Sequence, residues 1–337
     1  MHALWWTGVR EMQWDQADEP RALEGEVLVE SVAAGICGSE VSAYLGHNEL
    51  RTPPLIMGHE FTAKLEQDIA ERGLVAGDLV TVNPLITCGT CPDCQAGQRQ
   101  YCQQRKIIGV DFPGAYGTRL AVPRAQCYRV QDAIAGTLVE PLACAVRATA
   151  QAQVGLGDSV VVIGAGLIGL MSVYVARLRG ARQIILVETN PKRLQHGLSW
   201  GADELILAKE DAVSVVDRVR SRVPRGVDRV IDAVGYSLTR ASALAMTRRG
   251  GRVVFLGLHE SQTTLNGNAI VRDEVEVVGS FCYSDQEFAT AVSLVNDRNR
   301  DFTGNWLDVR PASQGDEAFA EQATSSTSYA KIVLQLG

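Results

Sequence analysis

The chain has 337 residues, 46% of them hydrophobic and 21% charged, enough for two domains with sizeable cores and no need of the dense disulfides that rescue small secreted folds. Its net charge is -7, with basic residues mixed among acidic ones as in "VSVVDRVRSRVPRGVDR", so no cationic stripe exists to neutralise phosphates and nucleic acid is excluded as a partner. The opening "MHALWWTGVREMQWD" lacks the basic start, long apolar stretch and small-residue cleavage site of a secretory signal, and the expectation is a cytoplasmic protein with reduced thiols.

Through about residue 140 the chain reads as short alternating apolar runs between glycines and prolines, "GEVLVESVAAGI", "GDLVTVNPLI", "GTRLAVPRAQCYRV". This is the pattern of a strand-dense β-domain. From about residue 155 buried-strand runs alternate with helix-length stretches: "SVVVIG", "LIGLMSVYVARLRG", "QIILVE", "PKRLQHGLSWG", "ELILA", "AVSVVDRVRSRV", "VDRVIDAVG", "LTRASALAMTRRG", "GRVVFLG" and "EVEVVGS". Repeated strand-helix units predict a doubly wound parallel sheet. The uncharged stretch 159–176 tempts a membrane reading, but Gly164, Gly166 and Gly169 divide it into strand, turn and helix, and no membrane span is expected. An amphipathic helix, "DQEFATAVSLVN", and a final strand, "AKIVLQL", close the chain.

The three glycines form G-x-G-x-x-G directly after a strand and before a helix, and Glu188 ends the next strand nineteen residues past Gly169. Gly164 and Gly166 allow a tight turn and close approach of backbone to a pyrophosphate, Gly169 lets helix and strand close, and the helix N-terminus, with Leu167 and Ile168, receives the anion. Glu188 suits the free ribose hydroxyls of NAD and repels the 2′-phosphate of NADP. Lys192 and Arg193 follow closely, either flanking the adenine ribose or standing ready for a 2′-phosphate should Glu188 turn away. NAD is the expected dinucleotide, NADP the alternative.

"TCGTCPDCQAGQRQYC", residues 87–102, spaces Cys88, Cys91, Cys94 and Cys102 as C-x2-C-x2-C-x7-C. Four thiolates from one loop suit a closed, tetrahedral structural zinc. A redox C-x-x-C pair, an iron-sulfur cluster, or a disulfide remain alternatives at this point. A second set is dispersed: "GICGSE" with Cys37, Ser39 and Glu40; "GHE" with His59 and Glu60; "VEPLAC" with Glu140 and Cys144. Taken singly, each has an ordinary explanation, as a buried thiol, a hydrogen-bonded histidine or a turn residue.

Taken together and in this order, "GICGSE", "GHE", the cysteine loop, "VEPL", "VIGAGLIG" and "DAVG" at 232–235 resemble the zinc-dependent medium-chain alcohol dehydrogenases, most of all the polyol (sorbitol) and threonine dehydrogenase branch. The resemblance spans nearly the whole chain. It implies a GroES-like β-barrel catalytic domain over residues 1–141, carrying the structural zinc loop 87–103. A Rossmann domain over 142–283 and a segment 284–337 that completes the catalytic domain would follow, with the active site in the cleft. It implies two zinc ions, one structural and one catalytic, the latter held by Cys37, His59 and Glu140 with Glu60 as a fourth or exchangeable ligand. Val234, Gly235 and Leu256 join the cofactor-binding residues. The implied reaction passes hydride between NAD and a zinc-polarised alcohol whose proton Ser39 accepts. The ethanol-type branch has cysteine where Glu140 stands, which favours a secondary alcohol of a polyol, sugar or cyclitol. A threonine-type amino alcohol and a non-catalytic relative are the alternatives. Relatives assemble as homodimers or homotetramers.

Two positions depart from the pattern. Where many relatives have a histidine to export the proton, this chain has Ser42, and His47 is the nearby candidate substitute. Glu40 replaces the usual aspartate. Tyr44, Asn48 and Arg51 fall in the stretch expected to face substrate.

Overall fold

The computed structural model describes residues 1–47, 50–208, 212–297, 301–324 and 327–337, with only the backbone at 212–214. The chain forms two compact units, one of Met1–Glu140 with Ser284–Gly337 and one of Pro141–Tyr283.

Strands Cys127–Arg129, Leu79–Val82, Glu60–Leu65, Glu26–Gly35, Lys331–Gln335 and Leu307–Pro311 lie side by side in the main sheet of the first unit, and Arg119–Pro123 also pairs with Glu26–Gly35. The tail is integral to this sheet: Lys331–Gln335 runs antiparallel to Glu26–Gly35 with Val333 opposite Gly35. Period-two alternation buries Val27 and Val29 on one face, where they join Phe61, Tyr116, Phe319 and Ile332 in a single core. Phe319, from the helix Gly315–Gln322, stands edge-on to Tyr116 with ring centres 6.0 Å apart and packs on Tyr44 at 5.5 Å. Tyr44 is therefore a core residue, 3% exposed, rather than part of a substrate-facing loop.

The second unit is a parallel sheet of six strands in the order Glu204–Leu207, Gln183–Glu188, Ser159–Ile163, Val227–Asp232, Thr247–Phe255, Glu276–Gly279. This is the doubly wound order, reversing between Ser159–Ile163 and Val227–Asp232, where such sheets bind ligands. All five residues of Ser159–Ile163 are buried, as a strand covered on both faces must be. The uncharged stretch is this strand plus the helix Leu167–Leu178, and among the described residues no helix is long and apolar enough to cross a membrane.

Three local features differ from the periodic reading. Thr247–Arg249 open the strand Thr247–Phe255 instead of closing the preceding helix: Thr247 pairs with Val227, and its hydroxyl donates back to Ala243 O at 2.7 Å, ending the helix. "PKRLQHGLSWG" breaks at His196 into helices Pro191–Gln195 and Gly197–Trp200. A helix, Gly267–Asp273, capped by Asn266, lies where no apolar periodicity announced one.

Candidate metal and dinucleotide sites

In the first unit, Cys37 sits just before the helix Gly38–Tyr44, in extended conformation, and Glu40 at the third helical position reaches back to accept the Cys37 amide at 3.0 Å. This reciprocal cap fixes where the Cys37 thiol points. His59 and Glu60 lead into the strand Glu60–Leu65. One ligand atom each from Cys37, His59 and Glu60 lie within 4.8 Å of one another. Sulfur, imidazole nitrogen and carboxylate oxygen are the donors zinc takes.

Glu40 is fully buried and organises this group. One oxygen accepts Gly58 N at 2.9 Å and binds His59 Nδ1 at 2.9 Å; the other accepts Cys37 N and, at 2.6 Å, the Tyr116 hydroxyl. With Nδ1 engaged, Nε2 of His59 is left for a metal. Burial opposes the Glu40 charge, but His59, Arg51 and Tyr116 outweigh it and hold the carboxyl at about 2. Burial likewise works against a charged His59, yet Glu40 and Cys37 raise it well above its ordinary value. The pocket attracts positive charge at the position where a cation would sit. Glu60 is paired with the buried Lys331, whose Nζ also donates to Ile36 O at 2.9 Å.

Ser39 Oγ donates to Cys37 Sγ at 3.4 Å, and Arg51 donates to Ser39 through Nη2 to Oγ at 3.2 Å and Nη1 to the carbonyl at 3.3 Å. Glu140, 9% exposed in the first turn of the helix Val139–Gln151, is outside the group formed by Cys37, His59 and Glu60. His47 is exposed, its amide bonded to Ser42 O at 2.9 Å, and Asn48 lies outside the described residues.

The loop cysteines form a separate group. Sγ of Cys88, Cys91, Cys94 and Cys102 all lie within 4.8 Å of one another, with Cys88 to Cys94 at 3.9 Å and Cys88 to Cys102 at 3.7 Å. A tetrahedron with zinc-sulfur bonds of about 2.3 Å has edges of about 3.8 Å, so the loop is already spaced for an ion. None of the eight cysteines forms a disulfide. Hydrogen bonds to the sulfur from Thr90 and Cys91 lower Cys88 to about 6, favouring the thiolate that a metal needs.

In the second unit the glycine turn leaves Ser159–Ile163 and enters the helix Leu167–Leu178. A Cβ on Gly169 would fall 1.8 Å from Gly164 O, whereas a Cβ on Gly166 would meet no protein atom within 4 Å. Gly169 thus answers to helix-strand packing and Gly166 to open space on the ligand side of the turn, where Ile168 is also half-buried and Leu167 is tucked inward. Glu188 is turned toward this loop: Oε2 accepts Ala165 N at 2.7 Å, and Oε1 accepts Thr189 N, Thr189 Oγ1 and Asn190 N. Arg193 Nε is buried without a hydrogen-bond partner among the described residues, an orphan donor that a ligand would satisfy. Asp232 Oδ1 accepts Val234 N and Gly235 N, and its carbonyl accepts Leu256 N at 3.0 Å, so Val234, Gly235 and Leu256 share one anchored rim.

Sequence reasoning did not single out Lys331 or Tyr116. A lysine opening the apolar run "AKIVLQL" was the available signal for the first; nothing local marked the second.

The site and fold have known counterparts. Residues 23–132 match the alcohol dehydrogenase GroES-like domain, and residues 168–297 match the zinc-binding dehydrogenase domain. The chain is 32% identical over 292 residues to L-idonate 5-dehydrogenase of Vitis vinifera, covering 83% of this chain and 80% of that one. It is 30% identical over 295 residues to sorbitol dehydrogenase of Arabidopsis thaliana, covering 84% and 81%. A solved structure described as a zinc-binding dehydrogenase from Sinorhizobium meliloti 1021, bound to NADP, superposes with a TM-score of 0.88 at 26% identity over 99% of this chain and 98% of that one. The chain belongs to the zinc-dependent alcohol dehydrogenase family. It is an oxidoreductase of that family, with zinc and a nicotinamide dinucleotide as its cofactors.

Proposed function

We propose that this enzyme oxidises a secondary alcohol of a polyol, sugar or sugar-acid substrate, with NAD as hydride acceptor. The observation that carries this reading is the convergence of half-buried Cys37 with buried His59 and Glu60, in a chain whose relatives are named for idonate and sorbitol. Cys37, His59 and Glu140 would hold the catalytic zinc, with Glu60, gathered beside the first two, as a fourth or exchangeable ligand. Cys88, Cys91, Cys94 and Cys102 would hold a second, structural ion with no position left open. When bound, the catalytic ion supplies Lewis acidity that lowers the pKa of an alcohol.

The protein groups do the rest. Glu40 fixes the His59 ring. Ser39, beside Cys37, offers a hydroxyl that takes the alcohol proton. Gly166 and the helix N-terminus behind it receive the pyrophosphate. NAD over NADP is supported by Glu188, held in place by four donors from Ala165, Thr189 and Asn190, because a fixed carboxylate there repels a 2′-phosphate.

A reducing, cytoplasmic location suits eight cysteines none of which forms a disulfide, four of them spaced for metal. Homo-oligomerisation is supported by the edge strand Glu276–Gly279, where Val277 and the nearby Val271 and Phe281 are exposed. Light scattering reads that state directly.

The test of function is metal analysis joined to turnover. Two zincs per chain are expected, with NAD reduction by at least one secondary polyol. Cys37→Ser should lose one zinc and turnover together, whereas Cys94→Ser should lose the other zinc and stability while the folded fraction still transfers hydride. Retained turnover in a Cys37→Ser protein lacking that zinc would refute the assignment.

A further inference from the structure

Resting on the secondary-alcohol reading above, we propose that Arg51 is a specificity-determining residue which selects substrates carrying an anionic group, a carboxylate or a phosphate ester, near the reacting carbinol.

Arg51 is 6% exposed. Among the described residues its guanidinium donates only to neutral oxygens: Nε to Gly109 O at 3.4 Å, Nη1 to Ser39 O at 3.3 Å and Nη2 to Ser39 Oγ at 3.2 Å. All three contacts are at or beyond the long end of the N–H···O range, and a guanidinium has five N–H groups, so two are unspent among the described residues. Among the described residues no carboxylate lies within 4.0 Å of it, unlike Arg310, which is paired with both Asp308 and Glu321. Glu40 is near enough for its field to be felt. Its oxygens, however, are taken by Cys37 N, Gly58 N, His59 and Tyr116.

Buried charges are ordinarily paired. A permanently charged, planar fork left with neutral partners is suited to a charged partner that arrives with the substrate. The place is right for such a role. Arg51 Nη2 reaches Ser39 Oγ, and Ser39 Oγ reaches Cys37 Sγ at 3.4 Å, so the guanidinium stands two hydrogen-bond lengths from the metal-ligand group. A neutral alditol leaves its two spare N–H groups without a charged acceptor; an aldonate or alditol phosphate supplies one.

The experiment compares zinc-loaded wild type, Arg51→Met and Arg51→Lys on six-carbon aldonates, alditol monophosphates and the alditols of matching configuration, with melting curves and zinc content to confirm folding. The ratio of kcat/KM for the anionic over the neutral substrate should exceed one in the wild type. It should drop by about 10- to 100-fold in Arg51→Met, the scale of one charge-assisted hydrogen bond, chiefly through KM, and recover in part in Arg51→Lys. Inhibition by an aldonate that is not oxidised should weaken by a similar factor. Which anion shows the effect identifies the carboxylate or the phosphate ester as the natural group. An unchanged ratio, or a parallel fall for charged and neutral substrates, overturns the assignment and leaves Arg51 as a prop for Ser39 while the dehydrogenase reading stands. Inactivity of the wild type toward every substrate removes both.

Discussion

Lys331 sets its ammonium against the Glu60 carboxylate inside the first unit, with side-chain exposures of 3% and 2%. The lysine comes from the last strand and the glutamate from Glu60–Leu65, 271 residues earlier, so the tail delivers the counter-charge to a residue of the metal-ligand group. Gly35 makes room: a Cβ there would stand 2.5 Å from Lys331 Cε and 2.8 Å from Glu60 Oε2. Removing one member of a buried pair strands the other, at a cost of about 3–5 kcal/mol. Lys331→Met is expected to lose stability on that scale in denaturant unfolding, and Lys331→Met with Glu60→Gln to lose clearly less than the sum of the single changes. Burial acts against the Lys331 charge, but Glu60 and Cys37 raise its pKa above 10.5. The contribution that comes from the lysine's charge is therefore complete below 10.5 and is lost as pH rises through the higher folded value.

Glu40 makes a second prediction. Its four contacts, to Cys37 N, Gly58 N, His59 Nδ1 and the Tyr116 hydroxyl, use both oxygens. Glu40→Gln keeps the length but places an NH2 where two donors now point, which loosens the His59 ring. Disturbing the group that orients a ligating histidine typically costs about 10- to 100-fold in metal affinity. Chelator competition should show that loss at the catalytic ion alone, with the four-cysteine ion unchanged.

How far the sequence foretold this site depends on how local each signal is. The glycine turn and the cysteine loop are contiguous, so their chemistry is readable from spacing, whereas "GICGSE" and "GHE" are ordinary when taken singly and take on a role only through the family resemblance; strand-helix alternation foretold the doubly wound sheet. Lys331 was not legible because its partner is 271 residues away, and Tyr116 because its link to Glu40 spans 76. Arg51 was visible as a polar residue in a promising loop, but only the fold shows it buried against Ser39. The end of the helix at Met246 was missed because strand pairing of Thr247 with Val227 overrides the helical periodicity of "LTRASALAMTRRG".

A pH test applies to the second unit. Asp228 accepts Ser159 N at 2.8 Å, Ser159 Oγ at 2.7 Å and Arg248 Nε at 2.6 Å, tying Ser159–Ile163 to Val227–Asp232 and that strand to Thr247–Phe255. Burial alone would raise Asp228, but Arg248 and Ser159 outweigh it and bring the carboxyl down from 3.8 to about 2. A carboxyl lowered on folding stabilises above its unfolded value and loses that contribution as pH falls through the folded one. Asp228→Asn should cost about 1–2 kcal/mol near neutral pH, a figure reduced for the solvent that reaches the pair. The gap to the wild type in denaturant midpoint should narrow below 3.8 and close near 2.

The second and third glycines of the turn separate folding from binding. At Gly169 a methyl would meet Gly164 O at 1.8 Å, a distance only backbone movement can relieve. Gly169→Ala should therefore lower stability by several kcal/mol, on the scale of overpacking, and dinucleotide affinity would fall with it. At Gly166 no protein atom lies within 4 Å of the added carbon and φ is -69°, a conformation any residue adopts. Gly166→Ala should melt within about 0.5 kcal/mol of the wild type, yet bind NADH at least about tenfold more weakly, because the methyl occupies the space a pyrophosphate needs. Fluorescence titration of NADH beside a denaturant melt reads both quantities on the same protein. Unchanged NADH affinity in a stable Gly166→Ala protein would mean that the dinucleotide does not lie over this turn.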